Sequence, residues 1–66
     1  MTLFDLLVEM NANQKLTIVD PFGDTNIEND TIENIINSPV WETIKDNEVI
    51  GTKEENNSLI VWATRS

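Results

Sequence analysis

EVIGT at residues 48–52 and SLIVWAT at residues 58–64 are the two runs that decide the fold. Both are rich in the β-branched and aromatic residues that favour strands. The segment between them, KEENN at 53–57, is polar and suited to a hairpin loop. Together the three segments predict an antiparallel hairpin near the C-terminal end of the sequence.

The second strand of this hairpin is apolar on both faces, from Leu59 to Ala63. Such a strand either lies centrally in a sheet that is covered twice, or leaves one face half exposed at an interface. Ile60 and Trp62 therefore have two interpretations: they pack under the edge of a helix or loop, or they form a surface for self-association or for a partner. Trp41 is likewise either a core residue or an interface hot spot.

The first residues of the chain have the apolar spacing of a short helix. Residues 2–10 place four apolar side chains at i, i+3, i+4 and i+7, namely Leu3, Leu6, Leu7 and Met10. Thr2 is the expected N-cap, and Asp5 follows three residues later, where its charge suits the helix dipole. The pattern predicts a helix with one buried face.

A second helical segment is expected around residues 31–45. Residues 30–37 form its first part, with Asp30 as the N-cap, Glu33 at N3, and a shared apolar face of Ile32, Ile35 and Ile36. Ser38-Pro39 then ends the helix and suits the start of another turn, with Ser as N-cap and Pro at N1. The sequence leaves open whether this is one kinked helix or two short ones.

A second hairpin is predicted nearer the N-terminus. In residues 16–20, Leu16 and Ile18 point to one side and Thr17 and Val19 to the other. Pro, Phe, Gly and Asp at 21–24 supply turn chemistry, and residues 25–28 form the returning strand. These elements predict a small α+β domain, with a mainly antiparallel sheet and one or two short helices packed on one face. The expected core is Leu3, Leu6, Leu7, Ile18, Ile32, Ile35, Ile36, Trp41, Ile44, Val49, Leu59 and Val61.

The composition excludes several classes of protein. The chain has 66 residues, so a single domain over 1–66 is the upper limit. Its 12 acidic and four basic side chains give a net charge of −8. Affinity for phosphate comes largely from Lys and Arg, and the negative charge therefore disfavours direct binding of nucleic acid or anionic membranes. Neither a membrane span nor a secretory signal is recognisable, so a cytoplasmic location is expected.

Most catalytic and metal chemistry lacks its usual residues. The chain has no His and no Cys, which removes the common activated nucleophiles, the commonest zinc ligands and any disulfide. The two glycines are far apart, so there is no glycine-rich phosphate loop. We therefore expect a protein that is not an enzyme and that has neither a cofactor nor a metal site.

Paired carboxylates are the remaining candidates for chemistry. Asp20 and Asp24 flank the predicted turn and are either a weak calcium site, an acid/base pair, or ordinary turn formers. Their spacing lacks the pattern of an EF-hand loop. Glu54 and Glu55 are expected to be solvated at the tip of the C-terminal loop.

The whole chain resembles the very small, acidic, mostly uncharacterised proteins encoded by phages, prophages and mobile elements of low-GC Gram-positive bacteria. The resemblance is one of size, charge and element order. It is carried by Leu6-Leu7 and by the segments LTIVD at 16–20, IINSPVW at 35–41 and NSLIVW at 57–62. It includes no catalytic or ligand-binding signature. It implies an inhibitor or adaptor that binds a host protein, such as a host defence nuclease.

Two functions follow as hypotheses. The first is a non-enzymatic acidic binding protein that occupies a basic surface of a host protein, where carboxylates imitate nucleic acid and charge steers association. The second is a binding protein for a small ligand or nucleotide, in which a homodimer formed through the last strand builds a pocket from Trp62, Phe22 and polar turn groups. The candidate partner-binding residues are Trp62, Ile60, Glu54, Glu55, Asp20 and Asp24.

Overall fold

A computed structural model describes residues 1–65 of the chain. These residues form three short helices and four strands, in the order α1 (Leu3–Leu7), β1 (Lys15–Val19), β2 (Thr25–Thr31), α2 (Ile32–Ile36), α3 (Trp41–Ile44), β3 (Glu48–Glu55) and β4 (Ser58–Thr64). The predicted α+β class is confirmed. The question left open at Ser38-Pro39 is also answered, because α2 and α3 are separate helices.

The four strands form one sheet in the order β2-β1-β4-β3. Strands β1 and β2 pair antiparallel, as do β3 and β4, while β1 and β4 lie parallel in the centre. The sheet is thus mainly antiparallel, as predicted. Its two hairpins are joined where β1 of the first hairpin pairs with β4 of the second. Because β4 is hydrogen-bonded on both sides, its backbone cannot extend a sheet into a second molecule.

The three helices pack on one face of this sheet. Leu16 and Ile18 of β1 and Val61 and Ala63 of β4 are almost fully buried on that face. They form one cluster with the buried side chains of the helices, which are Leu3, Leu7, Ile32, Ile35, Trp41 and Ile44. The alternation predicted for Leu16 and Ile18 is confirmed, although Leu16 and Ala63 were missing from the predicted core.

The C-terminal hairpin turns more tightly than the sequence suggested. Strand β3 continues to Glu55, and only Asn56 and Asn57 connect it to β4, with φ values of 48° and 64°. Two consecutive positive φ angles are typical of a type I′ turn, whose twist matches that of the flanking strands, and Asn tolerates this conformation. The predicted loop at 53–57 is therefore wrong, and Glu54 and Glu55 are exposed strand residues rather than a loop tip.

The N-terminal hairpin is also longer than predicted. Strand β2 reaches Thr31, and two register shifts occur in its pairing with β1. At the turn, the Asp20 carboxylate accepts hydrogen bonds from the backbone N–H of Phe22 (2.9 Å) and of Asp24 (3.0 Å). Gly23 supplies the positive φ of 91° that the turn requires. The carboxylate of Asp20 therefore has the hydrogen bonds of a turn-forming residue.

The predicted cap of α1 is confirmed, but its length is not. Thr2 and Asp5 form a capping box: the Asp5 N–H donates to the Thr2 hydroxyl (3.2 Å), and the Thr2 N–H donates to the Asp5 carboxylate (3.1 Å). The helix ends at Leu7 rather than at Met10. Its start is held against the segment before β3, because Leu3 N–H donates to the Asn47 carbonyl (2.9 Å).

The caps predicted for α2 and α3 are wrong. Thr31 caps α2, accepting from Asn34 N–H, while Asp30 still belongs to β2 and accepts from the Asn34 side chain instead (2.9 Å). Helix α3 begins after Val40 without any side-chain cap, so Ser38 is not its N-cap and Pro39 is not at N1. In both places the strand or turn before the helix continues one or two residues further than propensity indicated.

One predicted core residue is wrong outright. Ile36 is 47% exposed, because Ile32 and Ile35 form the buried face of α2 and Ile36 lies at the edge of that face. Leu6, Val49 and Leu59 are only partly buried and pack against the edge of the core. The remaining predicted core residues are buried.

Candidate functional site

The helical side of the molecule carries an apolar groove between the three helices. Its volume is about 250 Å³, and its walls and floor are Phe4, Leu7, Val8, Ile32, Ile36 and Trp41. We call this set of residues the helix groove. The groove opens on the side of the helices that faces away from the sheet, because Leu7, Ile32 and Trp41 at its base are buried.

Helical spacing places the residues of the groove walls. Phe4 and Val8 are four residues apart at α1, and Ile32 and Ile36 are four residues apart in α2, so each pair forms one ridge. Phe4 is fixed further by its backbone, whose N–H donates to the Lys45 carbonyl at the end of α3 (2.9 Å). The α1 ridge therefore has a defined position relative to α3.

Three groove side chains are strongly exposed for apolar residues. Phe4 is 50% exposed, Val8 63% and Ile36 47%. Single exposed apolar residues are common on protein surfaces, but a contiguous set around a concave site is typical of a binding surface. Covering these three side chains would remove a substantial apolar area from water, which is the usual source of affinity at an interface.

Four exposed carboxylates are sequence neighbours of groove residues, and we call them the acidic rim. Asp5 follows Phe4, Glu9 follows Val8, Glu33 follows Ile32, and Glu42 follows Trp41. Lys45 is a nearby cation, whose ammonium lies 3.1 Å from the Glu42 carboxylate, and this contact raises the pKa of Lys45. The helices that form the groove thus carry exposed acids next to its apolar residues.

The six residues predicted from sequence do not form one site. Ile60 and Trp62 lie on the sheet face opposite the helices, and register places Glu55 on that face and Glu54 on the helical one. Asp20 and Asp24 lie at the far end of the sheet, where β1 ends beside Trp62 and away from the Asn56-Asn57 turn. Across residues 1–65, no group of three or more acidic side chains is arranged to hold a metal ion.

A second, larger groove lies at the end of the sheet where β1 and β4 both terminate. It has a volume of about 540 Å³ and is lined by the Asp20–Phe22 turn, the α3 region and the end of β4, including Arg65. Phe22 is 92% exposed at this groove. Trp62 is not among its lining residues, so the predicted pocket of Trp62 and Phe22 is not formed within one chain.

Sequence reasoning missed the helix groove. Phe4 and Val8 have the i, i+4 spacing of a second apolar ridge beside the core face of α1, which was the signal available. Ile36 was assigned to the core, although it is the third exposed residue of the groove.

Within residues 1–65, no helix has the length and apolar character needed to cross a membrane. Comparison with known protein families, with curated proteins and with solved structures finds no match for this chain.

Proposed function

We propose that this chain is a non-enzymatic binding protein whose helix groove takes a basic, amphipathic segment of a partner protein. The observation that carries the proposal is the combination of exposed Phe4, Val8 and Ile36 with the exposed carboxylates of Asp5, Glu9, Glu33 and Glu42, each next in sequence to a groove residue. An apolar centre within a rim of one charge selects a ligand with an apolar stripe and the opposite charge beside it.

An amphipathic helix with Lys or Arg on its flanks has this chemistry. Its apolar side chains at i, i+3, i+4 and i+7 enter the groove, and its basic side chains reach the acidic rim. The net charge of −8 also attracts a basic segment over a distance of about one Debye length, roughly 10 Å at 0.1 M salt. The apolar contacts supply most of the affinity, and the charges supply orientation and association rate.

The resemblance to small acidic phage and mobile-element proteins supports a more specific proposal about the partner and the cellular location. On this proposal the partner is a host protein with a basic surface, the location is the cytoplasm, and binding inhibits or recruits that protein. A catalytic role is not proposed, because the sequence lacks His and Cys and the Asp20 carboxylate is taken up by its turn.

The test uses a designed helical peptide of about 18 residues, with a Leu stripe and Lys flanks. Fluorescence anisotropy measures its affinity for the wild-type protein, for Ile36→Ser, and for the matched control Ile50→Ser. Ile50 is an equally suitable comparison because it is 55% exposed but lies in β3, outside the groove.

We expect Ile36→Ser to weaken peptide binding by about tenfold and Ile50→Ser by less than about twofold, because only Ile36 contacts the bound peptide. Binding should also weaken as NaCl rises from about 50 to 500 mM. Equal losses in the two variants, or affinity that is indifferent to salt, would remove the proposal.

The 540 Å³ groove supports a second candidate function, the binding of a small aromatic anion such as a nucleotide. The exposed ring of Phe22 offers a stacking surface, and the guanidinium of Arg65 offers two parallel donors to a carboxylate or phosphate. Thermal shift assays with a nucleotide panel test it, comparing wild type with Arg65→Gln. No shift across the panel, or an unchanged shift in Arg65→Gln, would rule it out.

A further inference from the structure

The sheet face opposite the helices has an apolar centre with no helix from residues 1–65 packed over it. Ile60 and Trp62 of β4 point to this side, since they alternate with buried Val61 and Ala63. In the parallel register, Val19 of β1 lies beside Trp62. We call the three side chains Val19, Ile60 and Trp62 the open-face cluster.

The indole of Trp62 spreads this cluster over a third strand. Gly51 of β3 lies opposite Trp62, and a Cβ placed on Gly51 would be 3.9 Å from Cε3 of the indole. The ring therefore lies against the backbone of β3, where the absence of a side chain leaves room for it. The result is a continuous apolar band from β1 across β4 to β3.

The charges around this band differ from those of the rest of the molecule. On β1, β4 and β3, register places two bases, Lys15 and Lys53, and two acids, Glu48 and Glu55, on the same face. Lys53 lies 3.8 Å from Glu55 along β3, and Glu48 contacts the N-terminal amine at 2.8 Å. These three strands thus make the face nearly neutral, although the chain as a whole carries −8.

The near-neutral charge of this face favours a second copy of the chain as its binding partner. Two molecules of charge −8 repel each other in most orientations, but least when their neutral faces meet. The face also presents both signs of charge around this cluster, so it can be complementary to itself in a two-fold contact. A strongly basic partner would find no excess of acid here, in contrast to the helix groove.

Edge-to-edge association is the less suitable route to a dimer. Strand β4 is paired on both sides, and β2 is interrupted by two register shifts. The exposed edge of β3 carries three consecutive charged residues at 53–55, and near its beginning the Val49 N–H already donates to the Met1 carbonyl. Irregular and charged edges hinder strand addition. Side-chain packing between the open faces is therefore the more suitable route to a dimer.

We propose that two copies of this chain associate through their open sheet faces, with Ile60 and Trp62 at the centre of the contact. Four strands spaced about 4.8 Å apart and roughly 20 Å long give a face of about 400 Å² per copy. A standard interface buries about 800 Å² per partner. The dimer is therefore a weak, transient one.

Sedimentation equilibrium between about 10 μM and 1 mM tests the proposal, at about 0.1 and 0.5 M NaCl. We expect the 7.5 kDa chain to become dimeric at the upper concentrations. Higher salt should strengthen the dimer, since it screens the repulsion between the two acidic molecules. Basic peptides in the helix groove should show the opposite salt dependence, so the two proposals fail independently.

Two kinds of variant locate the interface. Ile60→Gln, which leaves the net charge unchanged, should weaken the dimer by at least about tenfold, whereas Ile36→Ser in the helix groove should not change it. Lys53→Glu should also weaken it more than Lys45→Glu, which makes the same change of charge away from the open face. Since Lys53 is exposed, this comparison does not depend on whether Ile60→Gln folds.

Three outcomes would overturn the proposal. The first is a wild-type chain that stays monomeric at about 1 mM in both salt concentrations. The second is a dimer that Ile36→Ser disrupts and Ile60→Gln does not. The third is equal weakening by Lys53→Glu and Lys45→Glu, which would mean that only net charge matters.

Discussion

Ile35 and Ile36 are adjacent residues of the same type in α2, and replacing each with Ala separates core packing from surface exposure. Ile35 is fully buried against the sheet, whereas Ile36 is 47% exposed at the helix groove. The two substitutions remove the same atoms and place the same new residue in the same short helix. Any difference between the two variants therefore reports how strongly each side chain is packed.

The expected costs follow from this burial. Replacing a fully buried Ile with Ala usually costs about 2–5 kcal/mol, because transfer free energy is lost and a cavity remains. The free energy of unfolding of a chain of this length is roughly 3–10 kcal/mol, so Ile35→Ala should leave a barely folded protein. For Ile36→Ala we expect less than about 1 kcal/mol, because about half the side chain is already in water and Ala favours helix.

Urea denaturation followed by tryptophan fluorescence and far-UV circular dichroism measures both values. The buried ring of Trp41 reports on the helical side of the core, and both probes should give coincident transitions. Loss of stability in Ile36→Ala equal to that in Ile35→Ala would refute the reasoning. It would place Ile36 in the core, as the sequence alone predicted, and would remove one wall of the helix groove.

Two further predictions concern the turn and the N-terminus. Asn57→Gly should raise the free energy of unfolding by about 0.5 kcal/mol, and Asn57→Val should lower it by about 1–2 kcal/mol, because the φ of 64° suits Gly and strains a β-branched residue. Urea denaturation measures both values, and equal stability of the two variants would contradict a type I′ turn. Glu48 raises the pKa of the Met1 amine, so this pair contributes stability below the amine's unfolded pKa and loses it as pH rises through the raised, folded pKa. The stability difference between wild type and Glu48→Gln should therefore shrink between pH 7 and pH 10, and a difference that grows would contradict the pairing.

Local patterns predicted much of the secondary structure. Thr2 is the expected N-cap of α1, with Asp5 completing a capping box, and the alternation of Leu16 and Ile18 gave the correct buried face of β1. These features depend only on neighbours a few residues away. The ends of elements were less accurate, because Asn56 and Asn57 can form either part of a longer loop or a complete two-residue turn.

Contacts between distant segments could not be predicted from such patterns. The parallel pairing of β1 with β4 joins residues more than 40 positions apart, and it is what makes β4 central and leaves Ile60 and Trp62 on the open face. The helix groove needs three separate helices to meet. Ile36 looked like a core residue because its spacing from Ile32 was helical, but Ile32 and Ile35 form the buried face of α2 and leave Ile36 at its exposed edge.

On our proposal the helix groove and its acidic rim, rather than net charge alone, bind a basic partner. Two double variants test this directly with the same designed peptide: Glu9→Lys with Glu33→Lys at the rim, and Asp24→Lys with Glu55→Lys, where Asp24 lies in the N-terminal hairpin and Glu55 on the sheet face opposite the helices. Each replacement adds two positive charges, so both variants change from −8 to −4.

At about 0.1 M salt, we expect the rim variant to bind the peptide at least tenfold more weakly than wild type, and the control variant to lose at most about threefold in affinity. Equal losses in the two variants, or a greater loss in the control, would mean that the rim does not bind the peptide.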